Sequence, residues 1–190
     1  YETMKSVSTG LKKILIFTGS TVALSIGYYI YALSLYPPVE ERETFLAEIG
    51  EGLGEIGLWL LVFIYARTLI KLFFGKGAIA KRLLPEYSIE LDPPLIDSLI
   101  NLLNRTHVYF GIGAVAIILL HIALMGLPMH ILFFPAVLAL VIWQGLFGIF
   151  ISWRYSPREL KKLSYLVHAQ LFTGVMIGVF SYFGHLLIDD

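Results

Sequence analysis

The sequence contains no cysteine, and this absence excludes several kinds of redox site. A cysteine-ligated iron–sulfur cluster, a covalently attached c-type haem and a disulfide all require cysteine. Charged residues are also scarce, at 15% of the chain, and 14 basic residues balance 14 acidic ones. A soluble domain carries roughly 25% charged residues, and a nucleic-acid-binding domain is basic on one face or overall. The composition therefore favours neither class, and no nucleic-acid partner is expected.

Long apolar segments are the main feature of the sequence. Apolar residues make up 57% of the 190 residues, which is more apolar surface than a chain of this size can bury. A membrane-spanning helix needs roughly 20 mostly apolar residues, and five segments meet this requirement. The fold class predicted is therefore all-α, an integral membrane bundle of five transmembrane helices in one domain (1–190), with helices at about 14–36, 52–74, 97–126, 131–153 and 158–188.

The basic residues indicate an orientation for these helices. If the helices alternate in direction, Arg42 is the only one of the 14 basic residues on its side of the membrane, and the other 13 lie opposite. Lys and Arg beside helix ends stay on the cytoplasmic side. The sequence therefore predicts a cytoplasmic N-terminus and an outside C-terminus, in a multi-pass protein of the cell inner (plasma) membrane.

Four histidines fall inside the predicted helices, where ionisable residues are costly and mark functional sites. His107 and His121 lie on the third helix, and His168 and His185 lie on the fifth. The third and fifth helices run in the same direction, so the four residues form an inner and an outer pair. The 14-residue step on the third helix is about 21 Å of rise and rotates the side chain by only ~40°, so both histidines face one way.

Histidine pairs on facing helices are suited to haem. Neutral imidazole is a good iron ligand, and one pair can fill both axial positions of a haem. Two pairs at two depths can therefore hold two b haems, with the iron ligands His107, His121, His168 and His185. A porphyrin between helices needs small residues beside it, and an arginine can pair with its propionates. The candidates for these roles are Gly111, Gly113, Gly174, Gly178 and, beside the inner pair, Arg105.

The spacing on the fifth helix differs from that on the third. His168 and His185 are 17 residues apart, which places them ~100° apart around an ideal helix. A kink or π-bulge near Gly178 or Gly184, or a tilted helix, would let them face one way.

This pattern resembles that of the di-haem membrane cytochromes b, which include ferric-reductase-like transmembrane domains and cytochrome b subunits of respiratory oxidoreductases. The resemblance rests on His107 with His121, the glycines between them, and His168 with His185, and it covers about residues 104–190. It implies two b haems that conduct electrons between the membrane faces, exchanging them with a quinone or a redox partner subunit. Because the sequence has no glycine-rich phosphate-binding loop, we expect an electron-transfer subunit of an oxidoreductase rather than a complete enzyme.

Other interpretations stay open at the level of sequence. A mono-haem carrier would use only His107 and His168. A cofactor-free membrane anchor or assembly subunit would use its histidines only for packing between helices, and the GxxxG-like spacing of Gly174 and Gly178 is also typical of close helix packing. A small transporter is disfavoured, because no repeat and no mid-membrane carboxylate is visible. His130 falls in the short loop after the third helix, where we expect an interfacial side chain.

Overall fold

A computed structural model describes residues 2–36, 44–74, 93–168 and 170–188 of the chain. Within these ranges all regular secondary structure is helical, which confirms the predicted all-α class. The helices of the described ranges are α1 (Glu2–Leu35), α2 (Phe45–Phe74), α3 (Pro93–Met125), α4 (Phe133–Ser152), α5 (Arg158–His168) and α6 (Leu171–His185).

Four of these helices are long and apolar enough to cross a membrane. Only 6–11% of the residues in these segments are buried inside the protein, so most of their apolar side chains face outward. This arrangement is the reverse of a soluble fold and requires lipid around the helices. The chain is therefore a multi-pass membrane protein, with spans at Lys12–Leu35, Phe45–Ile70, Asp97–Met125 and Phe133–Ser152.

The segment predicted as one helix at 158–188 is divided into α5 and α6. The two helices are bent by 49° relative to each other, and together they make a fifth span if the bent pair is counted as one. Gln170 lies between them with an extended backbone (φ −78°, ψ 128°), which interrupts the helical hydrogen bonding. Gly178 and Gly184 both lie within the continuous helix α6, beyond this bend.

The helices group into two compact units, of which the first comprises residues 1–51 and 121–190. In this unit α6 contacts α1 and α4, and α5 contacts α4. An aromatic core lies where α1, the connection before α4 and the end of α6 meet, with Ala32, Ile131, Phe133 and Leu187 buried at its centre. This core holds the C-terminal end of α6, which carries His185.

A side chain of α1 also holds the start of α4. The backbone N–H of Leu132 donates a 2.9 Å hydrogen bond to the Tyr28 hydroxyl oxygen, and the Tyr28 ring lies edge-on to Phe133 with centroids 4.9 Å apart. The first backbone N–H groups of a helix have no partner within the helix. Tyr28 therefore acts as a tertiary acceptor at the N-terminal end of α4.

The second unit comprises residues 52–120 and pairs the long part of α2 with α3. The Phe63 and Phe110 rings lie with centroids 4.5 Å apart. Gly57 is buried, and a Cβ atom added to it would lie 3.1 Å from Cγ1 of Ile118. The two helices approach closely at Gly57 because it has no side chain.

Candidate functional site

His121 of α3 and His185 of α6 lie together in the first unit. Their ring centroids are 6.3 Å apart and the ring planes are inclined by 29°. Both side chains are half-buried. The structure therefore brings together the outer histidine pair that the sequence predicted.

Both rings are oriented by backbone carbonyl groups. His121 Nδ1 donates to the Gly50 carbonyl oxygen at 2.7 Å, and His185 Nδ1 donates to the Ser181 carbonyl oxygen at 2.8 Å. A carbonyl oxygen only accepts hydrogen bonds, so each neutral ring carries its proton on Nδ1 and its lone pair on Nε2. Metal-binding histidines are commonly held in this way, with one ring nitrogen on a carbonyl and the other on the metal.

The separation of the two rings fits two imidazoles on opposite sides of one iron. A metal–imidazole bond is about 2.0–2.1 Å and a ring nitrogen lies about 1.1 Å from its centroid, so the two centroids would be about 6.3 Å apart. His121 and His185 have this separation. A haem iron takes four ligands from the porphyrin and needs only two from the protein. The 6.3 Å separation therefore meets the distance that ligation of one iron by two imidazoles requires.

Aromatic packing around Gly184 positions His185. Gly184 is buried, and an added Cβ would lie 3.3 Å both from Cβ of Phe133 and from Cζ of Phe134. The Phe134 ring lies edge-on to the His185 imidazole, with centroids 5.5 Å apart. Gly184 thus allows α6 to approach α4 closely.

His168 lies at the end of α5 against α4. Its Nδ1 donates to the Gln144 carbonyl oxygen at 3.1 Å, and a Cβ added to Gly148 would lie 3.3 Å from its Cε1 atom. Sequence reasoning did not identify Gln144 or Gly148. A signal was present, because Gln144 is the one amide side chain in the apolar stretch 106–153 and lies four residues before Gly148.

His107 belongs to the second unit and His168 to the first. His107 is half-buried and Arg105 is exposed. Among the described residues, no atom lies within 4 Å of a Cβ added to Gly111, and the nearest to Gly113 is Leu60 Cδ1 at 4.0 Å. Open space therefore lies beside Gly111, four residues after His107 on the same face of α3.

The remaining candidates lie in the first unit. Gly174 is half-buried and Gly178 is exposed. Within the described ranges no atom lies within 4 Å of a Cβ added to Gly178, so no neighbouring helix packs closely there. Gly178 lies seven residues before His185, on the same face of α6. His130 is exposed in the loop, with its ring centroid 4.8 Å from that of Tyr36, and takes part in packing.

The described residues contain no group of three or more His, Asp or Glu side chains that could hold a bare metal ion. The site offers two imidazoles from different helices. Comparison of the chain with protein-family models, with characterised proteins and with solved structures found no match. Any function must therefore be inferred from the residues and their geometry.

Proposed function

We propose that the chain carries electrons across a membrane through two b haems, one held by His121 and His185 and a second for which the sequence offers His107 and His168. The observation that carries the proposal is the outer pair. Its ring centroids are 6.3 Å apart, and both Nδ1 atoms are bonded to backbone carbonyls. This arrangement leaves Nε2 of both rings as the iron-binding atoms.

A bound haem supplies a one-electron Fe(III)/Fe(II) couple, and the protein sets its potential through ligands, hydrogen bonds and burial. His121 and His185 would be the two residues that hold the iron of the outer haem. The Gly50 and Ser181 carbonyls keep the protons on Nδ1, which raises the basicity of the ligating nitrogens. The Phe134 ring lies edge-on to the His185 imidazole and packs beside it.

The membrane setting supports transport of electrons rather than local chemistry. His107 and His121 lie 14 residues apart on α3, a rise of about 21 Å, so sites at these two depths would cover much of a ~30 Å hydrocarbon core. Arg105 is exposed two residues before His107 and can bind a propionate of the inner haem. We further propose a cytoplasmic N-terminus in the plasma membrane, and a quinone or a soluble redox subunit as the electron partner.

A cofactor-free membrane anchor is the second candidate. The observation in its favour is that Nδ1 of both rings is bonded to a backbone carbonyl of the chain itself. A histidine that only packs between helices makes the same bonds. The two functions differ in one property, because the anchor binds no haem.

The deciding experiment is a visible spectrum of the full chain, purified in detergent from haem-supplied cells, in the oxidised and the dithionite-reduced form. We expect sharp b-type bands and about two haems per polypeptide by the pyridine haemochrome method, because each histidine pair supplies the two axial ligands of one haem. One haem per chain would retain electron transport but remove one of the two sites. A colourless protein would overturn the proposal and leave the anchor.

A further inference from the structure

The corner between α4 and α5 carries concentrated positive charge. Arg154, Arg158 and Lys162 are exposed and Lys161 is half-buried, whereas Glu159 is the only acidic residue in α5. Arg158 and Lys162 are one helical turn apart on the same face, and like charges at this spacing repel each other. An anion bound at this corner would relieve that repulsion.

Exposed apolar side chains lie beside these charges. Ser164 is fully buried and lies on the face of α5 that contacts α4. On the opposite side Leu163 and Leu166 are 55% and 61% exposed, within one turn of Lys162. A helix with apolar and basic residues together on its outer side is suited to the boundary between headgroups and acyl chains.

The end of α4 adds an apolar recess to this corner. The recess has a volume of about 410 Å³ and is lined by Ile149, Phe150, Ser152 and Trp153. Arg154 directly follows Trp153, and the exposed Tyr155 follows Arg154. Trp and Tyr are enriched at the level of lipid headgroups. The recess and the positive charges therefore adjoin along one short segment of chain.

We propose that this corner binds an anionic phospholipid. The phosphate lies against Arg154, Arg158 and Lys162, and an acyl chain occupies the recess beside Trp153. Arginine binds phosphate oxygens through paired hydrogen bonds, and basic residues near a membrane surface attract anionic lipid. The site needs only residues of α4, α5 and the turn between them, so it does not depend on the proposed haems.

The test uses Trp153 as the probe. The Trp59→Phe/Trp143→Phe variant of the full chain leaves Trp153 as the one remaining tryptophan of three. It is reconstituted in phosphatidylcholine vesicles that contain either brominated phosphatidylglycerol or brominated phosphatidylcholine, and quenching of Trp153 gives the relative association of the two lipids. We expect a preference for phosphatidylglycerol, which falls by roughly fivefold for each of Arg154, Arg158 and Lys162 changed to Gln.

The matched control is Lys12→Gln/Lys13→Gln, which removes two exposed basic residues of α1 and should leave the preference unchanged. Equal quenching by the two lipids in the parent, or an unchanged preference in Arg154→Gln/Arg158→Gln/Lys162→Gln, would overturn the proposal. Loss of the preference in millimolar inorganic phosphate would also overturn it, in favour of a site for soluble anions. If circular dichroism shows that the triple variant is not folded, the test uses Lys162→Gln alone. The Lys162 side chain is exposed, so this substitution should not disturb the fold.

Discussion

The imidazole centroids of His121 and His185 lie 6.3 Å apart, and Nδ1 of each ring donates a hydrogen bond to a backbone carbonyl oxygen. One ring comes from α3 and the other from the C-terminal end of α6. Their separation suits one metal ion between two Nε2 atoms. This relationship is the basis of the proposed electron transport and of the first prediction.

Replacing His185 should remove one haem. We expect His185→Ala to lower the haem content from about two to about one per chain, because one axial position of the outer site loses its ligand. His185→Met should keep the haem with a raised reduction potential, since a His/Met pair favours the reduced iron. Haem quantification and redox titration check both results. The matched control is His130→Ala in the loop, and equal haem loss in that variant would contradict the assignment.

Gly148→Ala should disturb His168 without affecting the outer pair. The new Cβ would lie 3.3 Å from Cε1 of His168, so the ring must shift and its 3.1 Å bond to the Gln144 carbonyl weakens. We expect a changed potential or a lower occupancy of the inner haem only, measured by redox titration of the two b-type components. Gly19→Ala is the control, because no described atom lies within 4 Å of its added Cβ. Two unaltered haem potentials in Gly148→Ala would show that His168 is not a ligand.

Gly184→Ala should destabilise the first unit. The new methyl group would lie 3.3 Å from Cβ of Phe133, which cannot rotate away. Overpacking of this kind costs about 1–3 kcal/mol, partly offset by the ~0.5–1 kcal/mol that alanine gains over glycine in a helix. The measurement is thermal or SDS unfolding in detergent, followed by circular dichroism. Gly27→Ala has open space around it and should be neutral or stabilising, so equal effects of the two substitutions would contradict the packing described.

Tyr28→Phe should weaken the start of α4. The substitution removes the hydroxyl acceptor of the 2.9 Å bond from the Leu132 N–H and keeps the ring contact with Phe133. We expect a loss of about 0.5–1.5 kcal/mol in unfolding free energy, toward the lower end because water can reach the exposed Leu132. Tyr31→Phe is the matched control, since the Tyr31 side chain is 59% exposed. An unfolding curve that Tyr28→Phe leaves unchanged would show that water replaces the hydroxyl at no cost.

The positions of the spans were predictable from the sequence with small errors. Apolar length alone located the four long helices, because a bilayer of fixed thickness demands it. The spans predicted to begin at 14, 52 and 97 begin at Lys12, Phe45 and Asp97. The helices α1 and α3 themselves begin earlier, at Glu2 and Pro93. A helix can extend beyond the bilayer through polar residues, and a hydropathy pattern does not detect those additional turns.

The break between α5 and α6 was not predictable from composition. The sequence indicated that an ideal helix would place His168 and His185 ~100° apart. The extended backbone of Gln170 separates the two residues onto different helices, so that rotation no longer applies. No proline or glycine marks residue 170, and the break is visible only in the backbone.

The sequence by itself determined that this is a helical membrane protein with histidines inside its spans, because span length and helical periodicity are local properties. Only the tertiary structure decided which groups orient those histidines. Gly50 binds His121 and Gln144 binds His168, each through a backbone carbonyl of another helix, and the type of side chain does not reveal what a backbone carbonyl will bind. Gly148 and Gly184 have no side chain, which lets residues of neighbouring helices pack closely against them. Which residues pack there is set by helices distant in sequence.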